Sequence, residues 1–294
     1  MASIASVQKL PVFHAGSLTA TFAKVNAEFK KLHPELDIVA EAAGSADAVR
    51  RITEQKRKCG VLASADYKLI PEMMFPDFAD WYIIFASDQI VLCYSDKSMY
   101  HDELTADNWY EILQRPGVTY GLHDPDQDPG GYRTLMVWQL AEKYYSVPGL
   151  FQKLSDSQGY KILPGNLNAL CESGQIDYTF SYGAVAVQNH AKYITLPDNI
   201  NLAKREFEDF YRQAQVKIRG GKPGEVVTIN GEPILFALTV PKNFDDRKLA
   251  ASWVSFLLGD KGVAIMKSMG MNPIKPAITN DVLKLPPLLR AYTN

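Results

Sequence analysis

Four short segments of this sequence place a hydroxyl or carboxylate side chain next to glycine, or one residue away from it, near the end of an apolar run. They are Ala15-Gly16-Ser17, Ala43-Gly44-Ser45, Asp128-Pro129-Gly130 and Tyr182-Gly183. If each segment opens a helix, the first backbone N–H groups have no partner in that helix and carry a partial positive charge, which suits an anion. Glycine also lets a ligand approach the backbone closely. The pattern therefore predicts an anion site, with these candidate residues: Gly16, Ser17, Ser45, Asp128, Gly130 and Tyr182.

Each of these segments also has an ordinary structural explanation. Ser17 and Ser45 are favoured N-cap residues, and Asp128 followed by proline is a common helix start. Tyr182 on its own fits a core or strand position. A single segment of this kind is more often a helix cap than a ligand site, whereas the recurrence of four favours a shared site.

An alternation of strands and helices would bring these segments together. Residues 10–13, 36–40 and 61–63 are predicted strands, and helical spacing of apolar residues lies between them. The first helix carries Leu18, Phe22, Val25, Phe29 and Leu32, and the second carries Ala48, Val49 and Ile52. This order predicts an α/β fold with a parallel sheet, in which the carboxyl ends of the strands face one crevice.

The rest of the chain continues the alternation. Further strands are predicted at 82–85, 89–94, 119–122, 177–182 and 234–240, and helices at 106–113, 131–145, 246–258 and 261–269. Residues 217–231, rich in glycine and charge, are predicted to form an exposed turn region.

Composition limits the possible functions. The chain has 294 residues, of which 47% are hydrophobic and 22% charged, as expected for two globular lobes. A formal net charge of -2 gives no indication of nucleic-acid binding. The odd set Cys59, Cys93 and Cys171 predicts buried thiols, and the five histidines lack metal-ligand spacing, so no zinc site is predicted.

An enzyme is one alternative function. His14 lies three residues before Ser17, which leaves a Ser/His hydrolase open. The chain has no G-x-S-x-G segment and no phosphate-binding G-x-x-x-x-G-K-[ST] loop, so catalysis is not expected.

The beginning of the sequence shows no signal for export. The residues after Met1 lack a basic region followed by a long apolar one, and no apolar run is long enough to span a membrane. Two explanations stay open: a cytoplasmic protein, including a sensor, or a trimmed sequence with a replacement Met1. The second explanation fits the function argued next.

The chain resembles the molybdate/tungstate-binding protein family of ABC importers along nearly its whole length. The segments that carry the resemblance are Val12-Phe-His-Ala-Gly-Ser-Leu18, Glu41-Ala-Ala-Gly-Ser-Ala46, Ala63-Ser-Ala-Asp-Tyr-Lys-Leu-Ile70, Met73-Met-Phe-Pro-Asp-Phe-Ala-Asp-Trp81, Asn108-Trp-Tyr-Glu-Ile-Leu-Gln-Arg-Pro116, Asp128-Pro-Gly-Gly-Tyr-Arg133, Glu172-Ser-Gly-Gln-Ile-Asp-Tyr178 and Gly270-Met-Asn-Pro273. They occur in the family's order and at similar spacing.

The resemblance implies a periplasmic-binding-protein fold, two α/β lobes with a central cleft and a hinge. Lobe I would comprise residues 1–90 with 197–294, and lobe II residues 91–196. The implied function is the capture of molybdate or tungstate, with no further cofactor, by a monomer that delivers the oxyanion to a membrane permease. The implied location is periplasmic or otherwise extracytoplasmic, with or without a lipid anchor.

Carried over to this sequence, the family pattern gives lobe I the donors Gly16, Ser17 and Ser45. Lobe II would contribute the three residues Asp128, Gly130 and Tyr182. In the archaeal branch, a carboxylate at the Asp128 position and a later glutamate bond directly to the metal centre.

This chain departs from the family pattern at the second carboxylate. Residues 161–170 contain no acid, and Gly60 stands where an aspartate is usual. Six-coordinate metal binding is therefore not implied. Sulfate, phosphate or a small organic acid stays open as an alternative ligand.

Overall fold

The computed structural model describes residues 8–126, 128–219 and 226–294. The chain forms two compact units. Unit 1 combines the residues up to Ser87 with Leu235–Asn294, and unit 2 is Asp88–Ile234. The chain therefore crosses between the units twice.

The strands and helices follow the predicted alternation. The strands are β1 Gln8–Ala15, β2 Leu36–Ala43, β3 Val61–Ser64, β4 Ile83–Ser87, β5 Ile90–Tyr94, β6 Tyr120–Leu122, β7 Tyr160–Ile162, β8 Tyr178–Tyr182, β9 Lys192–Thr195, β10 Gln215–Arg219, β11 Val226–Asn230, β12 Leu235–Thr239 and β13 Asn272–Thr279. The helices are α1 Thr19–Leu32, α2 Ser45–Thr53, α3 Leu69–Met74, α4 Trp109–Ile112, α5 Pro129–Tyr144, α6 Leu150–Ser155, α7 Leu167–Ser173, α8 Gly183–Gln188, α9 Glu208–Tyr211, α10 Arg247–Leu258, α11 Asp260–Ser268 and α12 Pro287–Arg290.

Unit 1 is built on a six-stranded sheet in the order β13-β4-β12-β3-β1-β2. Strand β1 pairs in parallel with both β2 and β3, as the β-α-β-α order predicts. Strand β12, returning from unit 2, pairs antiparallel with β3 and β4. All four residues of β3 are buried, which is typical of a strand covered on both faces.

Helix α1 shows how the apolar pattern builds this unit. Phe22, Val25 and Phe29 are buried on one face, whereas Leu32 in the last turn is 61% exposed. The helix ends at Leu32 because Pro34 disfavours helical backbone at the residue before it. Phe22 packs edge-on against Trp253 of α10, with ring centroids 5.1 Å apart.

Unit 2 has a five-stranded sheet in the order β7-β6-β8-β5-β9. Strand β6 is parallel to β7 and β8, and β5 is antiparallel to β8 and β9. Helix α5 packs on this sheet through Trp138, whose ring lies edge-on to Tyr120 and Phe180 at 5.8 Å each. These three buried rings form part of the unit 2 core.

Three predictions differ from the structure. The helix predicted at 106–113 is limited to α4, because the Asn108 side chain accepts from the Thr105 N–H and holds the preceding residues in a turn. The turn region predicted at 217–231 contains the antiparallel pair β10–β11 instead. Apolar and polar residues alternate along these strands, but the charge and glycine content of the region obscured this pattern. Residues 220–225 lie outside the described part of the chain.

The third difference concerns the return to unit 1, predicted at 197 and found at Leu235. The segment between these positions is anchored to α5 and the residues before it. Gln139 Nε2 donates to the Gln215 carbonyl at 2.8 Å, and Arg219 Nε donates to Asp126 Oδ2 at 2.8 Å. The two contacts join residues that are 76 and 93 positions apart along the chain. The pattern of strands alone does not reveal such contacts.

Within the described ranges, no single helix combines the length and apolar composition needed to cross a membrane. Helices α10 and α11 meet that test only as a pair, bent by 60° at their junction.

Candidate functional site

In unit 1, the parallel strands bring two of the predicted segments to one edge of the sheet. His14 near the end of β1 lies opposite Ala42 of β2 and Ala63 of β3. The residues that follow these strand ends therefore emerge at the same edge, as predicted. They are Gly16-Ser17, Gly44-Ser45 and Ala65-Asp66.

Neither serine acts as a helix cap, so the simple capping explanation is wrong for both. Ser17 lies inside a short 3-10 turn, Gly16–Leu18, and makes no side-chain cap. Ser45 is the first residue of α2, where Gly44 takes the N-cap position without a side-chain bond. The Ser45 Oγ instead accepts from the Ala65 N–H at 3.0 Å. Its hydroxyl hydrogen is left to donate elsewhere.

The Ser17 hydroxyl and the backbone at Gly16 are both accessible to a ligand. Within the described part of the chain, the partly exposed Ser17 hydroxyl makes no hydrogen bond. A Cβ built on the exposed Gly16 would meet no described atom within 4 Å. No packing contact therefore requires glycine here, whereas close approach of a ligand to the backbone would.

In unit 2, Asp128 does cap a helix. Its Oδ1 accepts from the Gly130 N–H at 2.6 Å, and Pro129 occupies the first position of α5. The capping explanation thus holds for this residue. Its second oxygen, Oδ2, makes no hydrogen bond among the described residues. A Cβ on Gly130 would lie 2.9 Å from the capping Oδ1, so a side chain there would push the Asp128 carboxylate from its present position.

Tyr182, at the end of β8, lies beside this cap. The same Cβ on Gly130 would lie 3.6 Å from Tyr182 Cε2. The Tyr182 hydroxyl oxygen accepts from Arg133 Nη1 at 2.6 Å. Burial raises the pKa of the Tyr182 phenol well above its usual range, so the group stays neutral and can donate. The structure therefore brings Asp128, Gly130 and Tyr182 together in unit 2.

Sequence reasoning missed Arg133 as a member of this group. It ends the Asp128–Arg133 segment that resembles the family, yet only 5% of its surface is exposed. The available signal was a cation on an otherwise apolar helix face, since Met136, Val137 and Leu140 of the same helix are buried.

Asp88 is a second residue that the sequence did not reveal. Its Oδ1 accepts from the N–H groups of Gln89 and Ala184, at 2.8 and 3.2 Å. The Asp88 carboxylate therefore already accepts a hydrogen bond from the first turn of α8. The backbone N–H groups of this helix, which follows Tyr182, are not all free to bind an anion, although the sequence pattern predicts that they are. The Asp88 Oδ2 atom is buried without a hydrogen-bond partner among the described residues. Burial raises the pKa of Asp88 to about 7.

Comparisons with known proteins place this chain in a family. A family model for bacterial extracellular solute-binding proteins matches residues 10–272. The chain belongs to this family. An uncharacterized solute-binding protein of Petrotoga mobilis is 42% identical over 287 residues, covering 97% of this chain and 89% of the relative.

Two further matches carry names that bear on the ligand. The molybdate/tungstate-binding protein WtpA of Pyrococcus abyssi is 37% identical over 300 residues, which cover 92% of this chain and 86% of the relative. In fold, the chain is similar to the periplasmic molybdate-binding protein of Azotobacter vinelandii, with a TM-score of 0.63. That similarity covers 89% of this chain and 98% of the other, at 21% identity. The expected periplasmic-binding-protein fold is therefore confirmed.

The hydrolase alternative finds no matching geometry in this solute-binding protein. His14 is buried, and its Nδ1 lies 2.9 Å from the Ala15 carbonyl oxygen. Its ring packs edge-on against Phe22 at 5.3 Å, and burial lowers its pKa. Among the described residues, His14 and Ser17 share no hydrogen bond. The three cysteines are free and buried, as predicted.

Proposed function

We propose that this protein binds molybdate or tungstate and delivers it to the membrane permease of an ABC importer. Its place of action would be outside the cytoplasm, as a monomer that is free or lipid-anchored. It would need no cofactor beyond its ligand and would catalyse no reaction. The relatives named for these two oxyanions support the choice of ligand.

The observation that carries the proposal is the state of the unit 1 serines. The Ser17 and Ser45 hydroxyls follow parallel strands at one sheet edge, and neither is used as a helix cap. Together with the backbone N–H groups beside them, they form a set of donors without a full positive charge. Molybdate and tungstate, which carry no proton at neutral pH, offer acceptors only, and they suit such a set.

In unit 2, the proposed contacts come from Asp128, Gly130 and Tyr182. The phenol of Tyr182 would donate to an oxyanion oxygen. Asp128 would repel a dianion unless its free Oδ2 bonds directly to the molybdenum or tungsten centre. Because Oδ1 is engaged by the Gly130 N–H, such a bond would leave the helix cap intact. We propose this single carboxylate bond, without a second acid.

Calorimetric titration and thermal unfolding with four oxyanions test the proposal. Molybdate and tungstate should each stabilise the fold by about 2.7 kcal/mol at a hundredfold excess over Kd. Sulfate and phosphate serve as controls of similar shape, and they should stabilise far less. If sulfate or phosphate raises the melting temperature while molybdate and tungstate leave it unchanged, the proposed ligand is wrong.

A further inference from the structure

Arg133 is the one lysine or arginine in the described part of the chain that is buried, with 5% of its surface exposed. Burying a cation costs several kcal/mol unless nearby groups compensate for it. The side chain lies on α5, one turn after the Asp128 cap. Its burial beside Tyr182, one of the proposed ligand contacts, therefore calls for a specific role.

The contact between Arg133 and Tyr182 fixes the direction of a hydrogen bond. A guanidinium group only donates, so the Tyr182 oxygen, 2.6 Å from Nη1, must be the acceptor. The phenol hydrogen then has to point away from Arg133. Among the described residues, Tyr182 donates to no other group. Arg133 thus leaves the Tyr182 O–H free to donate to an anion.

Arg133 also supplies positive charge at this point. Its guanidinium carbon lies 5.7 Å from the Tyr182 ring centre. Asp88 lies close enough to interact with this charge, but burial raises the pKa of its carboxyl to about 7, so it is not fully ionised at neutral pH. In a site of low dielectric constant, one full charge acts more strongly on a dianion than on a monoanion.

We propose that Arg133 is a specificity-determining residue, which makes the site prefer doubly charged over singly charged tetrahedral anions. It does so by holding Tyr182 as a donor and by placing a buried positive charge behind it. Arg133 orients Tyr182 as a positioning residue, and its charge sets the preference between the two kinds of anion. This inference rests on the proposed function, and it adds which charge state of the ligand the protein selects.

Tungstate and perrhenate make a matched pair of probes, because both are tetrahedral tetroxo anions and perrhenate carries one negative charge less. Dissociation constants for both would be measured by calorimetry on the whole chain, at one ionic strength. Arg133→Gln should lower tungstate affinity at least tenfold and perrhenate affinity much less, so the ratio of the two affinities falls. Arg133→Lys, which keeps the charge, should retain most of that ratio.

Two further variants separate charge from structure. Tyr182→Phe removes the donor and keeps the charge, so it should weaken both anions while preserving most of their ratio. Arg205→Gln removes the same charge from an exposed site in unit 2 and should change neither affinity. Unfolding curves without ligand show whether each variant is folded. If Arg133→Gln does not fold, Arg133→Met, an uncharged side chain of similar length, takes its place, and an unchanged ratio in that variant overturns the proposal.

The possible results are distinct. A ratio that is unchanged in Arg133→Gln, or a ratio that falls equally in Arg205→Gln, overturns the role of Arg133. The same conclusion follows if Arg133→Lys loses the ratio completely. Failure of the unmodified protein to bind tungstate or molybdate would instead overturn the proposed function.

Discussion

At the scale of single residues, Gly130 and Gly16 illustrate two reasons for glycine in the proposed binding site. A Cβ at Gly130 would press on the Asp128 oxygen that caps α5, at 2.9 Å. A Cβ at Gly16 would enter space that holds no described atom within 4 Å. Folding therefore explains the first glycine, and the proposed ligand explains the second.

Substitutions at Gly16 and Ser17 should separate binding from stability. Gly16→Ala and Ser17→Ala break no cap, so each should change the free energy of unfolding by less than about 0.5 kcal/mol. Ser17→Ala should cost about 1.5–3 kcal/mol of tungstate affinity, the usual value for a hydrogen bond to a charged group. Calorimetry and urea unfolding would measure both quantities. Gly130→Ala is a comparison for stability alone, because it should disturb the Asp128 cap. Normal binding by both unit 1 variants would show that the site lies elsewhere.

Asp128 can be tested with its cap preserved. Asparagine caps helices about as well as aspartate, so Asp128→Asn should leave the melting temperature nearly unchanged. It should lower tungstate affinity strongly and leave any weak sulfate binding unchanged or improved. Asp128→Ala, which also removes the cap, should cost about 1 kcal/mol of stability. Equal losses for every anion in the asparagine variant would mean that Asp128 is only a cap.

At the scale of elements, the beginning of each helix determines which backbone N–H groups are free to bind a ligand. Helix α2 begins without a side-chain cap, whereas α5 is capped by Asp128. In α8, the Ala184 N–H is taken by the buried Asp88. The uncapped beginning of α2 belongs to unit 1, which favours that unit as the source of backbone donors to the ligand.

Asp88 should give the protein a characteristic pH dependence. Its pKa is raised from 3.8 to about 7, so the folded state keeps a proton that the unfolded state loses near pH 4. Between these values the folded state binds more protons, and the free energy of unfolding must fall as pH rises. Between pH 5 and pH 8, the parent protein should therefore lose of the order of 2 kcal/mol of its free energy of unfolding through Asp88. The Asp88→Asn variant has no such carboxyl and should not show this loss. Urea unfolding at both pH values would measure it; equal slopes in variant and parent would exclude this role.

At the scale of the whole molecule, the two units differ in how the chain builds them. Unit 2 is one continuous segment, Asp88–Ile234, with its own sheet and aromatic core. Unit 1 needs two segments, because β12 and β13 complete the sheet that β1 begins. A continuous segment with its own core can fold alone.

We therefore expect the fragment of residues 88–234 to fold by itself. The packing of Trp138 against Tyr120 and Phe180 should give a near-ultraviolet circular dichroism signal and a cooperative melting transition. A fragment of residues 1–87 is the control, because it lacks β12 and β13 and should show neither. A noncooperative melt of the 88–234 fragment would show that its core depends on the rest of the chain.

Local sequence determined those features whose partners lie within one or two turns. At the start of α5, the Asp128 carboxylate accepts a hydrogen bond from Gly130, only two residues later. The apolar spacing of α1 likewise reflects one buried face of a single helix. The β-α-β-α order likewise determined that Gly16-Ser17 and Ser45 follow parallel strands, because short crossover connections leave few topologies.

Only the tertiary structure decided which of these groups are free to bind and which are engaged. Ser45 is engaged by Ala65, 20 residues away, and Arg133 by Tyr182, 49 residues away. Asp88 reaches Ala184 across 96 residues, and the return to unit 1 depends on where β12 pairs. Such partners are set by strand order and helix packing, which bring together residues whose spacing along the chain carries no periodic signal. The sequence was therefore enough to propose the candidate side chains, whereas their hydrogen bonds and the buried charge of Arg133 came only from the tertiary structure.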